Sequence, residues 1–325
     1  MAQNTNKSYE SSPVENFGYT VTIYDSISEI GYCTYNGYRG LRSVIIPRSV
    51  IKIEGNAFED CSDLTNITVH PDNPAHASVD GVLFNEDRTE LLIFPRGRQG
   101  DYVVPDSVTK INQWTFSGCS ALTSITLPDT VAEIGSYAFA DCHSLTCINI
   151  PNSVTKIEEG TFCDCRSLTS VTIPDSVIEI KGVAFSGCFS LTAITALPGN
   201  PVYASHDGVL FNKDKTELLL CPRGKRDYII PDSVVKIGRG AFEGCSYLGS
   251  VTIPNSVTVI GEGAFYGCMS LSSVVISESV TEIGDYAFDS CYNLSAVTVP
   301  KSVVKMGNNV FSGCISLPQS NSNSI

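Results

Sequence analysis

Residues 248–268 read L-G-S-V-T-I-P-N-S-V-T-V-I-G-E-G-A-F-Y-G-C, and Leu271 starts the same pattern again. Copies of this stretch return every 23 residues along most of the chain. Phe116, Phe139, Phe162 and Phe185 are evenly spaced, as are Phe242, Phe265, Phe288 and Phe311, each with a cysteine three positions later. A fixed period in this range is the mark of stacked structural repeats.

Within the unit, Leu248, Val251 and Ile253 are apolar at positions 1, 4 and 6, the L-x-x-L-x-L pattern of a leucine-rich repeat. Alternation over Val251, Thr252 and Ile253 predicts a short strand with one face inward. Pro254 has no N–H and a fixed φ, so it ends the strand and begins a corner. Ser256 offers a hydroxyl to loop backbone groups that no strand ladder reaches. Val257 and Ile260 turn back inward, Gly261 is read as permitting a tight turn, and Ala264, Phe265 and Cys268 fill the remaining side. One coil closes per unit. A single coil cannot bury its apolar edge, but stacked coils pair their strands and align Leu, Val, Ile, Phe and Cys into continuous inner rows.

With 325 residues the chain has room for a large core, and the unbroken repeat favours one elongated domain over two ordinary ones. A net charge of −13 gives no general attraction to nucleic acid or to anionic membranes. No apolar run reaches the length of a membrane span, so no membrane insertion is expected. Nine of the 13 cysteines occupy one repeat position; Cys33, Cys147, Cys163 and Cys221 do not. That register fits buried free thiols better than disulfides, and no C-x-x-C or Cys/His spacing points to zinc.

Residues 1–17 are polar and unpatterned, and a mobile segment is expected there. A single solenoid is expected over 18–317. Its first coil, residues 18–40, is degenerate: Tyr35 stands for the phenylalanine and Tyr38 for the cysteine, as suits an N-terminal cap. The 23-residue register breaks twice, where two longer segments resemble each other. One starts at Asn73 (N-P-A-H-A-S-V-D-G-V-L-F-N-E-D-R-T-E-L-L-I-F-P-R-G) and the other at Asn200 (N-P-V-Y-A-S-H-D-G-V-L-F-N-K-D-K-T-E-L-L-L-C-P-R-G). In each, two β-rich runs (81–85 and 90–94; 208–212 and 217–221) flank a polar turn, a hairpin signal. Hairpin modules are therefore expected at 70–101 and 198–227, each replacing the Phe-containing side of a coil without interrupting the inner sheet. Residues 318–325 read as a polar tail.

The S-V-x-x-I-G-x-x-A-F-x-G-C string and the D-G-V-L-F-N-K-D-K-T stretch from Asp207 resemble the BspA-like leucine-rich repeat proteins, over roughly residues 18–317. The resemblance implies a right-handed coil with a parallel β-sheet on the concave face and two hairpin-containing variant repeats. It also implies a surface or secreted, adhesin-like role, since better-known members of the family look like adhesins of host-associated microbes. The N-terminus M-A-Q-N-T-N-K-S-Y-E has no apolar stretch of a signal peptide. An intracellular interaction scaffold is the alternative.

No catalytic, cofactor or metal constellation is expected. His70, His76, His143 and His206 are scattered, and Ser205, His206 and Asp207 alternate faces on an extended run and cannot form a relay. Asp87 and Asp214 fit turns better than calcium loops. Two surfaces remain as candidates for a protein or glycan ligand. One is the outward strand row, Ser124, Thr126, Ser170, Thr172, Thr195, Ser250, Thr252, Val275 and Thr298, with Val103 and Ile229 as further apolar contacts. Threonine suits exposed strand positions in any case. The other is a basic edge on the modules, Arg96, Arg98, Arg223, Lys225 and Arg226. Lysine and arginine also protect exposed strand edges from self-pairing.

Overall fold

A computed structural model describes residues 18–318. The chain winds as a parallel-strand solenoid of about 13 turns, with no helix among the described residues. In a regular coil the L-x-x-V-x-I segment forms the longer strand, as in Ser170–Ile173 and Ala193–Ala196, which pair in parallel with Thr172 opposite Thr195. Proline ends that strand, and a second, two-residue strand follows on the next side, as in Lys156–Ile157 beside Glu179–Ile180. The third side is the A-F-x-G-C turn. Its backbone also bonds from coil to coil: the Phe116 N–H donates to the Ala138 carbonyl at 2.8 Å and the Phe139 N–H to that of Thr161 at 2.9 Å. Bonds of these kinds tie coils together on all three sides, although the strand ladders are interrupted at several coils.

The interior is a column of repeated side chains. Phe116, Phe139, Phe162, Phe242, Phe265 and Phe288 are fully buried. Their rings stack between coils, with centroids 5.0 Å apart for Phe116 and Phe139 and 4.7 Å for Phe242 and Phe265. Tyr35 takes the phenylalanine place in the first coil and stacks on Phe58 at 5.4 Å. Residues 1–17 and 319–325, and with them the expected mobile segment and most of the polar tail, lie outside the described residues.

Two local readings need correction. Gly261 does not adopt a left-handed turn. A Cβ there would come within 2.8 Å of the Gly238 carbonyl carbon, so close coil-to-coil packing is what requires glycine. Left-handed residues lie two positions before the phenylalanine, where Gly263 has φ +57, and two positions after it, where Gly267 has φ +69 and Asp141 and Asp164, in other coils, have φ +58 and +55. The serine role holds at Ser49, Ser153 and Ser279, whose hydroxyls donate to carbonyls of the preceding coil, for instance Ser279 to Val257 at 2.9 Å. Ser256 itself finds no partner.

The modules depart further from expectation. Each has three strands: His76–Val79, Val82–Asn85 and Glu90–Ile93 in the first, Tyr203–His206, Val209–Asn212 and Glu217–Leu220 in the second. Successive strands pair antiparallel, and the third joins the short ladder, with Glu90 opposite Lys110 and Glu217 opposite Lys236. The expectation that the long ladder continues past the modules fails. Asn66–Val69 does not pair with Gly100–Val103, because the inserted first turn takes its edge. The Ile67 N–H donates to the Gly81 carbonyl at 2.9 Å and the Val69 N–H to Ser78 Oγ at 2.9 Å. Ile194 and Ala196 do the same with Gly208 and Ser205. Nor is the Phe side lost. The N–H of Phe94 donates to Thr115 at 3.0 Å, and that of Cys221 to Ala241 at 2.7 Å, so these two residues occupy the phenylalanine position of their coils.

Candidate functional site

The outward strand row is built by period-2 geometry: on Ser170–Ile173 the inward Val171 and Ile173 are buried while Ser170 and Thr172 face out. Every member of the candidate row is exposed except Ser124, which is half-buried. Parallel pairing sets the central residues side by side: Thr172 with Thr195, Val103 with Thr126, Ile229 with Thr252, and Val275 with Thr298. The apolar members are unusually open, with Val103, Ile229 and Val275 at 69%, 76% and 74% exposure. The modules divide the row, so Thr195 and Ile229 do not lie on paired strands.

The basic edge is less free than its sequence suggests. Arg96 pairs with Asp60 at 3.0 Å and Lys225 with Asp207 at 2.9 Å, while Arg98 donates to the Asp80 carbonyl and lies over the Phe94 ring. Arg226 sits over the Tyr247 ring at 5.8 Å. Arg223 donates to Ser186 Oγ at 3.2 Å and has no carboxylate within ion-pair distance among the described residues. The two edges are therefore alike in sequence and unlike in charge compensation.

Ser205, His206 and Asp207 do not converge: Ser205 accepts from the Ala196 N–H, Asp207 holds Lys225, and His206 is exposed. The turns carrying Asp87 and Asp214 are organised by asparagine instead. Asn85 Oδ1 accepts from the N–H groups of Thr89 and Glu90 at 2.9 Å, and Asn212 does the same for Thr216 and Glu217. Among the described residues no group of three potential ligands could hold a metal ion.

Sequence reading missed Asn73 and Asn200. Both are buried, and each amide donates to two carbonyls of the preceding coil, Pro174 at 2.7 Å and Val177 at 2.9 Å in the case of Asn200. Their Oδ1 atoms accept two N–H groups that follow, so each side chain joins a module to the coil before it. The N-P dipeptide opening both modules was the available signal.

The BspA-type leucine-rich repeat model matches residues 8–85, 94–202 and 225–324, in six copies. The chain belongs to that family. The gaps in the match fall within the two modules. Several solved structures are similar to the chain. A leucine-rich repeat protein from Eubacterium ventriosum is 25% identical over 86% of this chain, with a TM-score of 0.58, and the chain spans 65% of that protein's length. A leucine-rich cell surface protein from Faecalibacterium prausnitzii is 28% identical, covering 95% of this chain and 90% of the other, with a TM-score of 0.55. The pneumococcal vaccine antigen PcpA, at 20% identity, 94% and 80% coverage and a TM-score of 0.55, shares the fold. No curated protein matches the chain.

Proposed function

We propose that the chain is a non-enzymatic binding protein, an adhesin-like surface or secreted scaffold that recognises a host or microbial protein or glycan through its outward strand row. The observation that carries this reading is the register of Val103, Ile229 and Val275, each set beside a threonine and more than two-thirds exposed. Flat hydroxyl-rich strands interrupted by open aliphatic side chains suit a broad, shallow contact, in which uncovered apolar groups supply the burial energy. The Faecalibacterium relative, named as a cell surface protein, supports the location.

The test is retention of the purified chain on immobilised extracellular-matrix proteins and on a glycan array, beside a variant carrying Val103→Glu, Ile229→Glu and Val275→Glu. These positions are exposed, so the variant keeps its thermal midpoint and loses retention. Equal retention of the two proteins removes the strand row as the binding face, and no retention of either removes the adhesin reading.

A second reading, an intracellular interaction scaffold, is favoured by the 13 cysteines, all of them free. Reduced thiols persist in cytosolic compartments. Protease shaving of intact producing cells separates the two: loss of the chain on shaving supports the surface, and full protection supports the interior.

A further inference from the structure

The two modules provide an internal comparison, because the same local fold has been built twice with different side chains. Around the first, Phe94 fills the phenylalanine column, with its ring centroid 5.0 Å from that of Phe116, and Trp114 stacks on Tyr137 at 4.4 Å beside it. The space left between Phe58, Phe94, Arg96 and Trp114 is only about 10 Å³. At the matching positions of the second module stand Cys221 and Gly240. A phenyl and an indole are absent, and the space beside Arg223 is continuous with a cleft of about 630 Å³ lined by Phe185, Leu219, Leu220 and Cys221. Its deep wall includes the buried Leu191, Ile194 and Leu210. Leu219 and Leu220 are only half-buried, so the floor keeps uncovered apolar surface.

Charge changes in the same place. Glu54, Glu59 and Asp60 beside the first module correspond to Lys181, Ser186 and Gly187 beside the second, and Gln113 corresponds to Arg239. Changes of opposite sign are Ser117 to Glu243 in the cleft and, in the coil before the module, Lys52 to Glu179 and Arg48 to Asp175. Lys181 and Arg239 are held by Glu158 at 2.9 Å and Glu262 at 3.0 Å. Arg223 is different. Arg96, its counterpart, neutralises Asp60, but glycine at 187 leaves Arg223 with only the Ser186 hydroxyl. Both guanidiniums lie over a left-handed glycine of the following coil, Gly118 or Gly244, where a Cβ would collide with them. Arg223 is therefore held in place by the fold with an unspent charge at the mouth of an apolar cleft.

The first module has an open recess of its own, of about 660 Å³, lined by Ile53, Gly55, Leu92, Ile93 and Gln113, the counterparts of Ile180, Gly182, Leu219, Leu220 and Arg239, so what Phe94 and Trp114 close off there is the part that would reach the arginine. Its cations Lys110 and Lys156 are paired with Glu133 and Glu179. It offers no uncompensated charge.

We propose that the cleft of the second module binds a small aromatic carboxylate, its ring in the volume that Phe94 and Trp114 occupy in the first module and its carboxylate on Arg223. A guanidinium presents paired N–H donors that match a carboxylate, and the ring replaces water against Leu219 and Leu220. The cleft shares no residue with the exposed strand row, so this site is independent of the adhesin reading.

Isothermal titration of the full chain with 3-phenylpropionate and with uncharged 3-phenylpropanol tests it. Saturable binding of 3-phenylpropionate at millimolar concentration is expected. Arg223→Gln weakens that binding about tenfold, the scale of a charge-assisted contact, while leaving the weaker binding of 3-phenylpropanol unchanged. Cys221→Phe, which restores the first module's ring, abolishes binding of both. Arg223→Gln lies at the mouth and does not depend on core repacking, so it decides the matter if Cys221→Phe fails to fold. Absence of binding to the unmodified chain, equal 3-phenylpropionate affinity in Arg223→Gln, or undiminished binding in a folded Cys221→Phe protein each overturns the proposal.

Discussion

The Cys188 thiol donates to the carbonyl oxygen of Phe162, 26 residues earlier, at 3.0 Å. Cys142, Cys165, Cys268, Cys291 and Cys314 repeat the relationship with Phe116, Phe139, Phe242, Phe265 and Phe288 at 3.1–3.2 Å. Cysteine at this position is thus a small core side chain that also donates a weak bond to the preceding coil. Burial raises the thiols, with Cys119 and Cys188 pushed up to about 12.

The first prediction follows from that burial. Cys142, Cys165, Cys188 and Cys268 remain unmodified by a thiol reagent until denaturant is added, whereas the exposed Cys147 reacts in the native protein. Rapid native labelling of the buried row, or disulfides between successive coils, contradicts it. Native mass spectrometry with and without denaturant reads the difference.

The same thiols set an alkaline limit. Unfolded thiols ionise near their ordinary value of about 9, while Cys119 and Cys188 in the fold hold their protons to about 12. Their contribution to stability is complete below about pH 9 and is lost as pH rises from there toward about 12, at roughly 1.4 kcal/mol per pH unit for each thiol. Cys188→Ala costs about 1 kcal/mol at neutral pH and shows a shallower alkaline loss. Denaturation midpoints of both proteins across this range measure it; parallel slopes contradict it.

Removal of a column ring is the second kind of stability test. Phe265 is fully buried and stacks on both Phe242 and Phe288, at 4.7 and 5.0 Å. Phe265→Ala costs about 3–5 kcal/mol, since its space is bounded by two coils that cannot both collapse into it. Thr252→Ala, on the exposed side of the adjoining strand, stays within about 0.5 kcal/mol. Similar denaturation midpoints for the two variants contradict the assignment of faces.

Most of the architecture was legible because repetition multiplies a weak local signal. One V-T-I run is ambiguous, but Val171, Ile194, Val251 and Val274 in the same place of successive units fix both the strand and its inward face. The modules were read less completely because their pattern occurs only twice and their hydrogen bonds are not periodic. The strand His76–Val79 lacks a clear apolar alternation and was missed, and with it the break in the long ladder. The cleft was invisible for another reason. Its reach to Arg223 arises from what is absent at Cys221 and Gly240, and an absence reads only against the paired module in three dimensions.

Asn200 provides a prediction at the module joint. Its amide N–H groups serve the Pro174 and Val177 carbonyls, and the side chain is fully buried. Asn200→Asp turns those donors into a carboxylate facing two carbonyl oxygens, at a cost of about 3 kcal/mol or more at neutral pH. Protonation restores one donor, so the aspartate's folded pKa is raised above about 3.9 and the penalty shrinks as pH falls toward that value. A pH-independent penalty contradicts this account.

The last prediction concerns His76, which occupies the place of Tyr203 in the second module. Tyr203 is buried with its hydroxyl accepting the Ile180 N–H at 3.0 Å, whereas His76 is buried with Nδ1 unpartnered. Burial lowers the imidazole pKa, with the Val50 carbonyl pulling the other way. A group whose folded pKa is depressed below its unfolded value, here about 6.5, gives stability that is complete above that value and lost as pH falls through the folded pKa. The native chain should therefore weaken between about pH 6.5 and pH 5, where most carboxylates are still ionised. His76→Tyr supplies the side chain that the equivalent site already accommodates and carries no proton-linked charge in this range. Thermal midpoints across that interval should fall for the native chain and change less for His76→Tyr. Equal acid sensitivity of the two proteins would show that His76 is not the group responsible.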